Sequence, residues 1–109
     1  MEAKVVYNQD VAFEEAGCGV KRKVLAYTPD MMMVEVHFEK GGVGTPHTHP
    51  HLQSTYVRSG RFRFDIAGEA VVVAEGDTIA FPPEVLHGTL CLEAGILVDV
   101  FHPMRSDFL

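Results

Sequence analysis

His47, His49 and His51 alternate with Thr48 and Pro50, Gln53 follows two residues later, and a fourth histidine, His87, stands beyond the turn at Pro82-Pro83. Imidazole is the commonest side-chain ligand of transition metals. On an extended chain residues two apart project to the same side, so His47 and His49 can reach one ion. His51 follows Pro50, whose fixed φ redirects the chain, and it is expected to fall out of register with that pair. An isolated His-x-His is explained equally well by a solvated loop. What decides is whether the fold brings a further donor to the same point.

A second group of reactive side chains lies near the C-terminus. Leu97, Asp99 and Phe101 share one face of a strand-like run, and Ile96, Val98 and Val100 share the other. An acid in such a run is ordinarily an outward-facing residue or the partner of a nearby arginine. Its chemical alternative is an inward position beside a metal, where burial would raise its pKa toward values useful for proton transfer. On its own Phe101 reads equally well as a core aromatic. Arg105, four residues further on, can reach the mouth of such a site and bind a carboxylate through two parallel hydrogen bonds, or it can remain solvated.

Strand-like segments separated by glycine, proline or acidic turns must position these residues. Met32, Val34, Val36 and Phe38 alternate with Met33, Glu35 and His37, which predicts a strand with one buried face. The glycine-rich stretch 39–46 then breaks it. Phe62, Phe64 and Ile66 alternate with Arg61, Arg63 and Asp65, and Ala67-Gly68 turns the chain into Val71-Val72-Val73, so a hairpin is expected. Residues 78–81, 87–92 and 95–101 supply further strands. About eight strands at this spacing, with no long helical periodicity, predict an all-β barrel or sandwich.

A chain of 109 residues suits one domain with an adequate core, and 47% hydrophobic content supplies it. The net charge of −6 disfavours a nucleic-acid backbone or an anionic membrane as partner. The N-terminus lacks the apolar region of a signal peptide, so a cytoplasmic protein is expected. Cys18 and Cys91 show no paired spacing and are expected to be free thiols.

The pattern Gly41, five residues, His47, one residue, His49, three residues, Gln53, six residues, Gly60 resembles the first motif of the cupins, with Gln53 where Glu is usual. Gly76, five residues, Pro82 and then His87 resembles the second, with Glu84 for its inner glycine and Cys91 for its terminal asparagine. The resemblance implies a double-stranded β-helix, or jelly-roll, barrel filling residues 1–109. It also implies one divalent metal on His47, His49, Gln53 and His87. Four neutral ligands would leave the ion's charge uncompensated, so the site should attract anions and act as a strong Lewis acid. The ligand set suits Ni, Zn, Fe, Co or Mn.

Residues 47–60 and 99–109 further resemble the small cupins of pectin degradation known as KdgF, although Leu52 stands where that group often has Glu. The resemblance implies opening and ketonisation of 4,5-unsaturated monouronates to their linear keto forms. Asp99, Phe101 and Arg105 fall at its catalytic positions. Phe101 would flank a sugar ring and Arg105 would hold the carboxylate of a small anionic sugar acid. Two alternatives stand beside this: an Fe(II) dioxygenase with three histidine ligands, and a non-catalytic sugar-acid binding or sensing module. Many small cupins pair through sheet edges, so a homodimer is expected.

Overall fold

The computed structural model describes residues 2–109. Eight antiparallel strands run as β1 (Glu14–Gly17), β2 (Val20–Thr28), β3 (Met31–Phe38), β4 (Val43–His47), β5 (Leu52–Ile66), β6 (Glu69–Ala74), β7 (Thr78–Phe81) and β8 (His87–His102). Short 3₁₀ turns at Asn8–Asp10 and Ser106–Phe108 flank them. The sheet order is β1-β2-β3-β8-β5-β6, with β4 added to β8 and β7 to β5. No helix among the described residues is long and apolar enough to cross a membrane.

The fold is governed by β5 and β8, which are longer than the sequence implies. Residues 87–92 and 95–101 are one continuous strand, and 62–66 is the far half of another that begins at Leu52. Glycine at Gly60 and Gly95 reads locally as punctuation, yet here it lets two paired strands bend together. A Cβ on Gly95 would lie 2.1 Å from the Ser59 carbonyl oxygen, and one on Gly60 would lie 2.6 Å from that of Glu93. Register shifts between Val57 and Phe62 accompany the bend. They also change which positions point inward, from Gln53, Thr55 and Val57 to Phe62 and Phe64. A one-residue slip inverts a strand's faces, so this bulge keeps both halves of β5 facing the core. Each long strand thereby serves both halves of the barrel. Gly95→Ala forces backbone atoms apart at this crossing. It should cost about 2 kcal/mol or more, which lowers Tm by roughly 10 °C in a domain of this size, as a circular-dichroism melt will show.

Other expectations meet the structure closely. The Ala67-Gly68 hairpin forms, with Phe62 opposite Val73 and Phe64 opposite Val71, and both turn residues adopt positive φ. The glycine-rich stretch is not purely a break, because Val43–His47 within it pairs with β8 as β4. Cys18 and Cys91 are free. The core holds Phe38, Val57, Phe62, Phe64, Phe81, Cys91 and Leu97, with Met32, Val34 and Phe101 forming a second cluster. Glu35 departs from simple alternation, since it lies on the outer face of β3 and yet is buried. It accepts hydrogen bonds from Asn8 and His37, and Arg58 stands 3.7 Å away. Burial would raise its pKa, but His37, Asn8 and Arg58 together hold it below the ordinary value.

Candidate metal centre

Strand register assembles the histidines. His47 on β4 pairs directly with His87 on β8, and their rings lie 4.6 Å apart between centroids. His49 stands 5.1 Å from His87 and 5.4 Å from His47. One potential ligand atom from each of the three falls within 4.8 Å of the others, so His47, His49 and His87 could hold a metal ion. His51 and His102 are not in this group. The His51 ring packs beside His49, whereas His102 is exposed and its Nδ1 meets the Asp30 carbonyl.

The outer nitrogens of the three rings are already committed. His47 Nδ1 lies 2.8 Å from the Thr45 carbonyl oxygen, His49 Nδ1 lies 3.2 Å from that of His51, and His87 Nδ1 lies 3.0 Å from that of Val85. A carbonyl can only accept, so Nδ1 of His47 and of His87 carries the proton and Nε2 presents a lone pair in the neutral ring, whereas His49 meets an acceptor oxygen at both nitrogens. Burial lowers the pKa of both His49 and His87, and neighbouring positive groups add to it, favouring the neutral, ligating form. His87 is further fixed by stacking on Phe81 at 4.5 Å, and His49 by the edge of Phe101 at 5.7 Å.

Gln53 enters from β5 and Asp99 from β8, its partner in the ladder. Along its inward face Gln53 and Thr55 are two apart, and across the ladder they oppose Phe101 and Asp99. The Thr55 hydroxyl donates to Asp99 Oδ1 at 2.6 Å and accepts from Gln53 Nε2 at 3.0 Å. With its amide nitrogen so used, Gln53 turns Oε1 toward His49 Nε2 at 2.9 Å. A neutral His49 has one proton for two acceptor oxygens, so with that proton on Nδ1 two acceptors face each other between Nε2 and Gln53, an arrangement that a shared cation would relieve. Adjacent ligands at about 2.1 Å from an ion in octahedral geometry sit roughly 3 Å apart, which matches this separation. The donor set and its proton positions fit a divalent metal.

Asp99 lines the cavity beside the histidines, a space of about 110 Å³ also bordered by Gln53, Phe101 and Arg105. Desolvation pushes its pKa up to about 6, against the lowering effect of Thr55, Gln53 and Arg105. Phe101 is both core and wall: it is 3% exposed, packs on Met32 and Val34, and reaches the cavity with its remaining edge. Arg105 is buried, not solvated. Its Nε and one Nη donate to the two carboxylate oxygens of Asp107 at 3.0 and 2.8 Å, and its guanidinium lies 4.3 Å from the Phe108 ring and 5.1 Å from Phe101. Two residues not singled out in the sequence join the site. Thr55 links Gln53 to Asp99, and Arg22 reaches the cavity from β2. Alternation with Val20 and Val24 was the available signal for Arg22.

Comparison with known proteins agrees with this architecture. The cupin domain family matches residues 34–101, from β3 through β8. The pectin degradation protein KdgF of Dickeya dadantii (strain 3937) is 43% identical over 104 residues, 94% of each chain. Among solved structures, KdgF from a Halomonas species superimposes with a TM-score of 0.92 at 35% identity, over 99% of this chain and all of that one. An RmlC-like cupin from Shewanella frigidimarina NCIMB 400 gives 0.93 at 36% identity, covering 99% and 97% of the two chains. With both histidine motifs inside the matched region and its relatives aligned over nearly their whole length, the chain belongs to the cupin family and is most readily grouped with its KdgF members.

Proposed function

We propose that this chain is a metal-dependent enzyme that opens the ring of a 4,5-unsaturated monouronate and delivers its linear keto form. The observation that carries the reading is the continuous line His49, Gln53, Thr55, Asp99. It joins the candidate metal centre to an acid held near neutrality by burial. Similarity to a pectin degradation protein supports the substrate class.

The chemistry is an isomerisation. The anomeric hydroxyl loses its proton as C1 becomes an aldehyde, the bond from C1 to the ring oxygen breaks to leave an enolate over C4, C5 and that oxygen, and protonation at C4 gives the C5 ketone, so one proton leaves and one is taken up. A divalent ion on His47, His49, Gln53 and His87 would supply Lewis acidity toward substrate oxygens. Asp99 moves the proton, with Thr55 fixing the orientation of its carboxylate. Arg105 holds the substrate carboxylate and Phe101 closes the apolar side. The test is proton NMR of a freshly generated unsaturated galacturonate with metal-loaded protein, subtracting the spontaneous reaction. Ring opening well above that background is expected; background rate alone, with the sugar acid still bound, would make this a binding module.

Gln53 stands where the cupin motif usually has Glu, and its hydrogen bond to Thr55 is a reason why the exchange should matter. Glu at this position removes the amide proton donated to Thr55 and sets a second negative charge beside Asp99. The Gln53→Glu protein should therefore retain its metal while kcat falls about tenfold or more. Metal analysis and steady-state rates on the same preparation will check it, and full activity would remove neutral ligation from the mechanism.

A further inference from the structure

β2 carries one charged residue on a face that otherwise points apolar groups into the barrel. Val20 is core and Val24 packs on the second cluster, so Arg22 between them must also lean inward. It lines the cavity that holds His47, His87, Asp99 and Arg105. Its guanidinium lies 3.7 Å from the centroid of the Phe108 ring, the same ring that Arg105 approaches to 4.3 Å. Two guanidinium groups thus share one aromatic ring at the cavity. Each is tied by an exposed acid: Arg22 Nε donates to Glu14 Oε1 at 2.6 Å, and Arg105 is held by Asp107.

These ties leave donors over. The Nη groups of Arg22 and one Nη of Arg105 have no partner among the described residues, although both side chains are largely withdrawn from solvent. A buried or half-buried guanidinium with unspent donors is suited to a planar anion. Glu14 and Asp107 already balance the two charges, so what the pair adds to the cavity is unspent N–H donors and not net positive charge.

We propose that Arg22 is a second substrate-binding residue, which with Arg105 across Phe108 receives the carboxylate of a sugar acid and sets the preference for acidic over neutral sugars. This rests on the uronate reading above. Arg22 shares the cavity with Asp99 but stands on β2, two strands from β8, and makes no hydrogen bond to the Thr55–Asp99 pair among the described residues, so its role is binding and not proton transfer. Its loss should therefore weaken binding and leave the chemical step in place.

The experiment compares wild type, Arg22→Gln and Arg22→Lys as metal-loaded full chains. Turnover of unsaturated galacturonate is read beside calorimetric binding of saturated galacturonate and of galactose. Glu14 is exposed, so loss of its partner leaves that carboxylate in water and the Gln protein should melt within a few degrees of wild type. Arg22→Gln should raise KM and weaken galacturonate binding about tenfold or more, with kcat within about threefold and galactose binding unchanged. Arg22→Lys keeps the charge without the planar fork and should fall between the two. Unaltered KM and galacturonate affinity in the Gln protein, beside an active wild type, would overturn the role of Arg22 alone. So would a fall in kcat with affinity intact. Wild type that binds galacturonate through Arg22 but opens no ring would instead overturn the enzymatic reading and leave Arg22 in place. Wild type that neither binds nor converts a uronate sinks both.

Discussion

His87→Ala protein, dialysed against a weak chelator, should emerge with almost none of the metal that the wild type retains. The ring is buried against Phe81, its Nδ1 is committed to Val85, and among the described residues the candidate group contains only His47 and His49 besides it. Removing one of a small set of ligands should weaken binding by roughly a hundredfold or more. The same substitution also opens a cavity beside Phe81, so stability will fall for packing reasons as well. His47→Ala separates the two effects, because His47 is exposed and contributes little packing. It should lose metal comparably while melting close to metal-free wild type. His51→Ala should keep full occupancy despite standing next to His49 in space. Elemental analysis of the three proteins checks all of this, and stoichiometric metal in folded His47→Ala and His87→Ala proteins would show that the site lies elsewhere.

Asp99→Asn should abolish most turnover while leaving structure and metal in place. The amide is nearly isosteric, and its oxygen can still accept from the Thr55 hydroxyl, so the line from Gln53 survives. What disappears is the group that can gain and lose a proton. Such a loss ordinarily lowers kcat by about a hundredfold to ten-thousandfold with little change in ground-state binding. The variant also exchanges a desolvated charge for a neutral group, so the metal-free protein should melt no lower than wild type near neutral pH. Rates of ring opening by NMR, with galacturonate affinity by calorimetry, distinguish this from a binding defect. Near-wild-type kcat would exclude Asp99 as the proton carrier.

Local patterning reached the barrel because each strand half obeys period two over the residues where it was read. It did not reach the lengths of β5 and β8. Glycine at Gly60 and Gly95 is locally indistinguishable from a chain break, and only the close crossing of the two backbones shows that the strands pass through. Glu35 lies on the face that alternation gives it and is nevertheless buried. Alternation puts it outside, and only the packing of Asn8 and Arg58, remote in sequence, covers it.

Residue types in the site and their spacing within each motif are legible from residue order alone: His47 and His49 on one side of an extended segment, and Asp99 with Phe101 on one face of a strand. These are properties of a few consecutive residues, and backbone geometry alone imposes them. Tertiary structure decided what meets across strands. It set His87 opposite His47, Thr55 between Gln53 and Asp99, and Arg22 on the ring that Arg105 also approaches. Which imidazole nitrogen faces inward depends on carbonyls only two residues from each ring, at Thr45, His51 and Val85, and so on local backbone turns that side-chain patterning does not report. Register between distant segments comes from the collective fit of core side chains, and no short stretch of sequence contains that information.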